Sequence, residues 1–159
     1  MSSQSFIIEN LEPDRFPEVQ AFYATMDYTY PIDPNSTVVI ARNGPQILGA
    51  VRLSYEERTQ VLRGFMIHPN YERRGIGTLM LHELEKHMGS RDCFCLPHEW
   101  LAGFYQQAGF QRVPPESLPP FLHQRWQELK DGPFPYVIAM RRAAVPSTIN
   151  IKAGEIKSS

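Results

Sequence analysis

The sequence predicts an α+β (mixed α/β) fold, with a central, mixed but mostly antiparallel sheet of about six or seven strands flanked by helices. Two observations support this class. Apolar and β-branched segments between residues 37 and 67 are separated by an Asn43-Gly44 hairpin signal and a polar turn, which is typical of a three-strand meander. Beyond Pro69, helical periodicity alternates with short apolar strands. A chain of 159 residues fits one domain, which we expect to span residues 1–142.

Each element of the first half has its own pattern. Phe6 opens a short apolar strand, and apolar residues from Phe16 to Met26 recur at helical spacing. Prolines and tyrosines then indicate an aromatic loop. The run Val61–Ile67 is almost continuously apolar, as in a central strand buried on both faces. The predicted elements are strand 6–8, helix 14–26, loop 27–34, and strands 37–41, 46–55 and 61–67.

The second half alternates between helix and strand. The segment 75–88 reads as an amphipathic helix that Gly89 ends. Its buried face is predicted to carry Ile76, Leu79, Met80, Leu84 and Met88. The other predicted elements are strand 93–96, helix 99–108, an extended segment 110–113, a Pro-rich helical insertion at about 114–135, a last strand 136–140, and a flexible tail 143–159.

Composition excludes some classes of protein. Apolar residues make up 42% and charged residues 21%, so the chain is globular rather than disordered. The net charge of −1 lacks the basic excess typical of nucleic-acid binding, and we expect no such partner. No apolar run approaches the ~20 residues of a membrane span, and no basic segment precedes an apolar one at the N-terminus. We therefore expect a cytoplasmic protein with no membrane partner.

The most informative segment runs from Phe65 to Thr78. A predicted buried strand enters a turn with two arginines and two glycines, and a helix follows at once. The first N–H groups of a helix are free and its dipole favours an anion, while glycines let a phosphate approach the backbone. The segment therefore predicts a pyrophosphate site, although a helix start with two solvated arginines would give the same pattern. No Lys follows Gly77 as a Walker A loop requires, and Met80 stands where a dinucleotide fingerprint needs glycine.

These residues resemble the GNAT superfamily of acyl-CoA-dependent N-acyltransferases. The family's acyl-CoA motif follows a strand ending in Val-x-Pro and reads Arg/Gln-x-x-Gly-x-Gly/Ala. Ile67-His68-Pro69 matches the strand end, and Gly75 and Gly77 match the glycines. The first motif position is Glu72 rather than Arg or Gln, which removes one side-chain contact.

A second motif of the family matches downstream. It consists of a short strand and a helix that ends in an aromatic-Tyr pair followed by Gly-Phe. Here Phe104-Tyr105 and Gly109-Phe110 occupy these positions, and His98 stands where the family often has Asn.

The resemblance implies a sheet splayed between its fourth and fifth strands, with pantetheine paired to strand backbone in the splay and the pyrophosphate over the glycine turn. It implies acetyl-CoA or another acyl-CoA as cosubstrate, no metal, and direct attack by an amine in a ternary complex. The acceptor would be the amine of a small molecule or peptide, and a homodimer is left open. The implied cofactor-binding residues are Phe65, Met66, Ile67, Arg73, Arg74, Gly75, Ile76, Gly77, Thr78 and His98.

The resemblance also assigns catalytic chemistry. Tyr105 aligns with the family's general acid, although a packed aromatic side chain would fit the same position. Many relatives have a basic Glu on the fourth strand, where this chain has only Val61, Leu62 and Arg63. The general base therefore stays open among Glu56, Glu57, Glu99, His98 and water.

Other residues carry weaker signals. Cys93 and Cys95 lie on one strand without a second ligand pair, so we interpret them as buried small hydrophobes rather than metal ligands. Several aromatic residues could wall an acceptor pocket or form a satellite core. These are Tyr28, Tyr30, Phe121, Trp126 and Tyr136.

Two other functions compete with N-acyltransfer. A non-catalytic acyl-CoA-binding regulatory module would explain the missing strand Glu and the altered motif position. A nucleic-acid-binding domain would rest only on Arg73, Arg74 and nearby basic residues.

Overall fold

The computed structural model describes residues 5–144, which fall into two compact units. The first unit ends at His87 and the second begins at Met88. The predicted tail lies outside the described residues from position 145 onward. Both the domain boundary at residue 142 and the splay between strands 4 and 5 stay predictions. None of the helices within residues 5–144 is long and apolar enough to span a bilayer.

The first unit contains the predicted meander. Consecutive strands of this unit pair antiparallel, and a helix follows the first strand. The elements are β1 (Ile7–Leu11), a 3₁₀ turn (Pro13–Arg15), α1 (Phe16–Ala24), β2 (Thr37–Asn43), β3 (Gln46–Glu56), β4 (Thr59–Ile67), a second 3₁₀ turn (Pro69–Tyr71) and α2 (Ile76–Met88).

Two tight turns fix the register of this meander. Gly44 follows β2 with φ +58°, which confirms the predicted hairpin. The turn between β3 and β4 places Glu57 at φ +48° and Arg58 at φ +66°. Positive φ at both central residues is the condition of a type I′ turn, here met without glycine or asparagine.

A β-bulge interrupts β4. Ala50 faces Met66 and Arg52 faces Arg63, so the single residue Val51 lies opposite the two residues 64–65. A bulge bends and twists its strand. Val61 and Leu62 before the bulge are buried, but residues 63–67 are only half-buried. The prediction of burial on both faces is therefore wrong for the second half of the strand, because an apolar run does not reveal the bulge.

The core of the first unit lies between α1 and the sheet, and α2 has a buried face of its own. The prediction that Leu79 lies on that face is wrong, because its side chain is 49% exposed, whereas Leu81 is fully buried. Buried positions follow the spacing from Ile76 through Met80 to Leu84, and Leu79 falls outside that stripe. The residues that form the main cluster are Leu11, Phe16, Val19, Phe22, Tyr23, Val38, Ile40 and Ala50.

In the second unit, the last strand pairs antiparallel with both of the strands that precede it in this unit. The predicted last strand starts three residues too early: Tyr136 is 58% exposed, and the Val137 N–H bonds the Phe134 carbonyl in a turn. A helix does lie within the segment 114–135, while its being an insertion stays a prediction. The elements are β5 (Cys93–Cys95), a 3₁₀ turn (Glu99–Leu101), α3 (Ala102–Gln106), β6 (Phe110–Val113), a 3₁₀ turn (Pro115–Ser117), α4 (Pro120–Asp131) and β7 (Ala139–Arg142). Antiparallel pairing with flanking helices confirms the predicted α+β class.

Candidate functional site

The turn after β4 is anchored at His68. Its backbone N–H donates to the Leu48 carbonyl at 2.7 Å, which holds the strand end against β3. Its ring Nδ1 accepts the N–H of Asn70 at 3.1 Å, which caps the 3₁₀ turn Pro69–Tyr71. The chain therefore leaves the sheet in a fixed direction before the arginines and glycines.

The approach to α2 uses two left-handed residues. Arg73 has φ +64° and Gly75 has φ +81°. A Cβ at Gly75 would meet no atom within 4 Å, so the glycine is required by its φ rather than by crowding, and the space beside it is open. The Leu79 N–H donates to the Gly75 carbonyl at 3.2 Å, which makes this the first hydrogen bond of the helix.

The N–H groups at the start of α2 therefore lack acceptors within the helix. These belong to Ile76, Gly77 and Thr78. Arg73 and Arg74 are exposed, and the Arg74 guanidinium lies 5.1 Å from the Tyr71 ring centroid. Open space, free N–H groups and two guanidinium groups within one turn are what a phosphate anion requires.

The strand residues predicted to contact a cofactor begin within the bulge, at Phe65, and continue to Ile67. Phe65, Met66 and Ile67 are half-buried, so the chain leaves part of their surface free. Gly49 on β3 faces Ile67, and a Cβ there would lie 2.8 Å from the Ile67 Cδ1 atom. The absence of a side chain at Gly49 thus leaves room for the Ile67 side chain. Only the strand register reveals this role of Gly49.

Tyr105 lies in α3 and is 5% exposed. Its ring centroid is 5.1 Å from that of Phe104 and 6.0 Å from that of Phe110. Burial raises the pKa of Tyr105 well above its usual value, so the phenol is neutral at physiological pH. A neutral phenol is the state that a proton donor needs, and the aromatic contacts are also those of a packed core residue.

His98 occupies a small aromatic stack in the second unit. Its ring lies 4.5 Å from the Trp100 ring with 5° between the planes, and 5.1 Å from the Phe134 ring. The Nδ1 atom is buried with no hydrogen-bond partner among the described residues. The structure therefore gives His98 a fixed ring position and an unsatisfied nitrogen.

The candidate bases differ in their surroundings. Glu57 and Glu99 are exposed. The Glu56 carboxylate lies 3.3 Å from the Arg63 Nη1 atom and accepts the Ser54 hydroxyl at 2.6 Å. Glu56 and Arg63 lie on the same face of the β3–β4 hairpin, and their side chains meet although Glu56 faces Thr59 in the strand register.

The aromatic candidates for an acceptor pocket separate into two groups. Tyr28 and Tyr30 contact each other in the first unit, with ring centroids 5.0 Å apart. Trp126 and Tyr136 line a cavity of about 250 Å³ in the second unit. Phe121 is not among the residues that line this cavity.

That cavity lies between the insertion helix and the strands of the second unit. The Trp126 indole N–H donates to the Val137 carbonyl at 3.3 Å and fixes one wall. Glu99, Arg112 and Lys130 also line it, and none of the three forms an ion pair with another described residue. The insertion thus builds a charged cavity that the sequence did not reveal.

Neither cysteine forms a disulfide within residues 5–144, and both side chains are buried. Burial raises the pKa of the Cys95 thiol well above its usual value. Both side chains therefore pack as small hydrophobic groups, and burial favours the neutral form of the Cys95 thiol by raising its pKa.

Comparison with known proteins identifies the family. The family model described as an acetyltransferase (GNAT) domain matches residues 34–112, about half of the chain. The chain belongs to the GNAT superfamily. The match covers the meander, the glycine turn, α2 and the Tyr105 segment, and so includes both motifs that suggested the resemblance. No curated protein sequence is detected as a relative.

Solved GNAT structures share the fold at low sequence identity. N-acetylglutamate synthase from Neisseria gonorrhoeae, solved with coenzyme A and N-acetylglutamate, superposes with a TM-score of 0.64 at 14% identity over 91% of this chain. The chain spans only 36% of that enzyme. A GNAT acetyltransferase from Streptococcus pneumoniae gives a TM-score of 0.63 at 17% identity, covering 86% of this chain and 98% of that one. The PaiA N-acetyltransferase from Thermoplasma acidophilum, solved with coenzyme A, gives 0.54 at 17% identity over 87% and 99%.

Proposed function

We propose that this protein is an N-acyltransferase that moves an acetyl group from acetyl-CoA to a primary amine of a small molecule or peptide. The observation that carries the proposal is the left-handed turn at Arg73 and Gly75, which directly precedes the N–H groups at the start of α2. This turn occurs in a chain that matches the GNAT family model. Coenzyme A in the solved relatives from N. gonorrhoeae and T. acidophilum supports the choice of cosubstrate.

Binding of the cosubstrate divides between two segments of the first unit. The N–H groups of Ile76, Gly77 and Thr78, with Arg73 and Arg74, would hold the pyrophosphate. The backbone of residues 65–67 would pair with the amide groups of pantetheine. The half-burial of these strand residues supports the second assignment. His98, with its unsatisfied Nδ1, is proposed as a further cofactor contact.

The chemistry needs one proton removed and one supplied. A neutral amine attacks the thioester carbonyl carbon, the carbon–sulfur bond breaks, and the product amide keeps the acetyl group. The attacking nitrogen loses a proton to a base, and the departing thiolate gains one from an acid. We assign the acid to Tyr105, which stands at the family's general-acid position beside Phe104.

The base is proposed to be a water molecule or one of the exposed candidates Glu57 and Glu99. Glu56 is less suited because Arg63 and Ser54 already engage its carboxylate. His98 is less suited because its ring is stacked on Trp100.

The proposal is tested by two measurements on the same protein. Acetyl-CoA at millimolar concentration should raise the melting temperature, because a ligand that binds only the native state stabilises it. Release of free CoA thiol with a panel of primary amines should then show transfer, and the buried cysteines should contribute little background. Stabilisation without thiol release from any amine would favour the non-catalytic binding module, and no stabilisation would overturn the cosubstrate assignment.

A further inference from the structure

Arg52 lies in the middle of β3 and is only 1% exposed. Its Nη1 donates to the Pro31 carbonyl at 2.8 Å, and its Nη2 donates to the Tyr28 hydroxyl at 3.3 Å. Its Nε is buried and has no hydrogen-bond partner within the described part of the chain. A fully buried guanidinium group is thus satisfied only in part, and only by neutral acceptors.

No carboxylate among residues 5–144 forms an ion pair with Arg52. Arg42 on the neighbouring strand is a useful contrast, because its largely buried side chain pairs with Glu9 and lies 3.7 Å from Glu18. A charge taken out of water is costly unless an opposite charge accompanies it. The surroundings of Arg52 lack that charge.

A second arginine lies directly opposite. Arg63 faces Arg52 across the β3–β4 ladder, which puts both side chains on one face of the sheet. The Arg52 guanidinium lies 5.7 Å from the Tyr28 ring centroid, and the Arg63 guanidinium lies 5.5 Å from that of Tyr30. These four residues, Tyr28, Tyr30, Arg52 and Arg63, form what we call the arginine–tyrosine cluster.

The charges of the arginine–tyrosine cluster do not balance. Glu56 pairs with Arg63 at 3.3 Å, so two guanidinium groups share one carboxylate. Like charges that face each other across two strands destabilise the pair. Here the two guanidinium groups also lie beside the rings of Tyr28 and Tyr30, which form an aromatic cover. A bound anion would remove the excess positive charge and satisfy the free Nε of Arg52.

The position of the cluster along the chain connects it to the proposed reaction. Arg63 directly precedes the bulge at Gly64, and residues 65–67 follow at once as the proposed pantetheine contact. The aromatic cover comes from the loop after α1. Tyr30 in that loop is 56% exposed, so the cover borders solvent.

We infer that the acceptor carries a carboxylate in addition to its amine, as in an amino acid or a peptide with a free terminal carboxylate, and that Arg52 and Arg63 bind this carboxylate. The inference rests on the proposed acyltransferase function. The Pro31 carbonyl and the Tyr28 hydroxyl are neutral acceptors, and a carboxylate forms stronger, charge-assisted bonds with a guanidinium group. The carboxylate of the ligand would therefore replace the Pro31 carbonyl and the Tyr28 hydroxyl as partners of Arg52 when the loop moves away. Tyr28 and Tyr30 would then pack against the bound ligand.

The test compares matched acceptors. Amino acids and their α-amides share the amine and the side chain and differ in the carboxylate. Release of CoA thiol should favour the acids, and Arg63→Gln should lower kcat/KM for acids by about 10- to 150-fold, mainly through KM, with little change for amides. Arg52→Gln should do the same where it folds. Arg58→Gln, an exposed arginine in the turn of the same hairpin, is the matched control and should behave as wild type.

A readout independent of turnover accompanies this assay. With CoA present, which cannot transfer an acetyl group, amino acids should raise the melting temperature of the wild type and of Arg58→Gln. They should not raise that of Arg63→Gln, and amides should raise none.

The outcomes separate the two proposals. Equal turnover of acids and amides, unchanged in Arg63→Gln, would overturn the carboxylate inference and leave N-acyltransfer standing. A preference for acids that is lost in Trp126→Ala but kept in Arg63→Gln would place the acceptor in the cavity of the second unit and would also overturn it. No turnover with any amine would overturn the proposed N-acyltransfer. In that case the changes in melting temperature alone would decide whether the arginine–tyrosine cluster binds carboxylates.

Discussion

The Tyr23 hydroxyl donates a 2.8 Å hydrogen bond to the backbone carbonyl of Gly64. Tyr23 is buried in helix α1, and Gly64 is the left-handed residue of the β4 bulge, 41 positions later. A Cβ at Gly64 would lie 2.8 Å from the Tyr23 hydroxyl oxygen. The helix therefore fixes the bulge by a direct bond and by close contact, and the bulge in turn sets the course of residues 65–67.

Replacing Gly64 should be much more harmful than replacing a glycine of similar φ in open space. Gly64→Ala combines a left-handed alanine with a clash against Tyr23, and should lower the free energy of unfolding by about 2–5 kcal/mol. Gly44→Ala, at φ +58° with no atom near its Cβ, should cost only about 1–2 kcal/mol. Urea unfolding of both variants measures the difference. Equal losses would show that the contact with Tyr23 carries no strain.

Tyr23→Phe removes the bond to the bulge without adding volume. We expect a loss of about 1 kcal/mol in the free energy of unfolding, the usual value for one buried hydrogen bond. Because the bond holds the bulge, acetyl-CoA affinity should also fall. Unchanged affinity in a folded variant would show that the bulge keeps its shape without Tyr23.

The glycine turn should reject added negative charge. Gly75→Asp should weaken binding of acetyl-CoA strongly, because a carboxylate would stand where the pyrophosphate is proposed. Gly75→Asn is the matched control, since Asn tolerates φ near +80° about as well as Asp but has no charge. Gly44→Asp repeats the charge change at another left-handed glycine, in the β2–β3 turn. Calorimetric titration with acetyl-CoA should show a much larger loss in Gly75→Asp than in either control.

Gly77→Asp extends the same test into the first turn of α2. It should also weaken acetyl-CoA binding while the fold is retained. Unchanged affinity in both aspartate variants would place the anion elsewhere.

Tyr105→Phe separates proton donation from packing. The change removes one hydroxyl and almost no volume, so folding and acetyl-CoA affinity should hardly change. Turnover of an accepted amine should fall by about 10²- to 10⁴-fold if Tyr105 supplies the proton and chemistry limits the rate. A wild-type rate under those conditions would remove Tyr105 from the mechanism. Loss of folding would assign it to the aromatic contacts with Phe104 and Phe110.

Alkaline pH should destabilise the protein through its buried phenols. Burial raises the pKa of Tyr23 and of Tyr105 in the folded state. The unfolded chain ionises these groups near pH 10, so their stabilising effect is complete below pH 10 and is lost as the pH rises above it. Urea unfolding between pH 9 and 11.5 should show a decline approaching about 1.4 kcal/mol per pH unit for each phenol. Tyr23→Phe should make this decline shallower, whereas Tyr136→Phe, an exposed control, should not.

Local sequence patterns were enough to predict the order and type of most elements, because periodicity, glycines and prolines act over a few residues. The meander, the glycine turn into α2 and the helical insertion all follow from patterns within a few residues of one another. The family also followed from local spacing, since both motifs are short and contiguous.

Features that depend on pairing between distant residues required the tertiary structure. The bulge at Gly64 exists only relative to β3, and its bond partner Tyr23 lies in another element. The exposure of Leu79 and the late start of the last strand also depend on residues that are distant in the sequence. Neighbours in space decide which side of a helix is buried and at which residue strand pairing begins.

The clearest case is the opposition of Arg52 and Arg63. In the sequence they are two ordinary arginines of a hairpin. Only the register of β3 against β4, shifted by the bulge, places them face to face, and only the fold of the loop after α1 buries Arg52 beneath Tyr28. Burial converts a solvated charge into one that requires a counter-charge, and burial is a property of the whole fold rather than of any short segment.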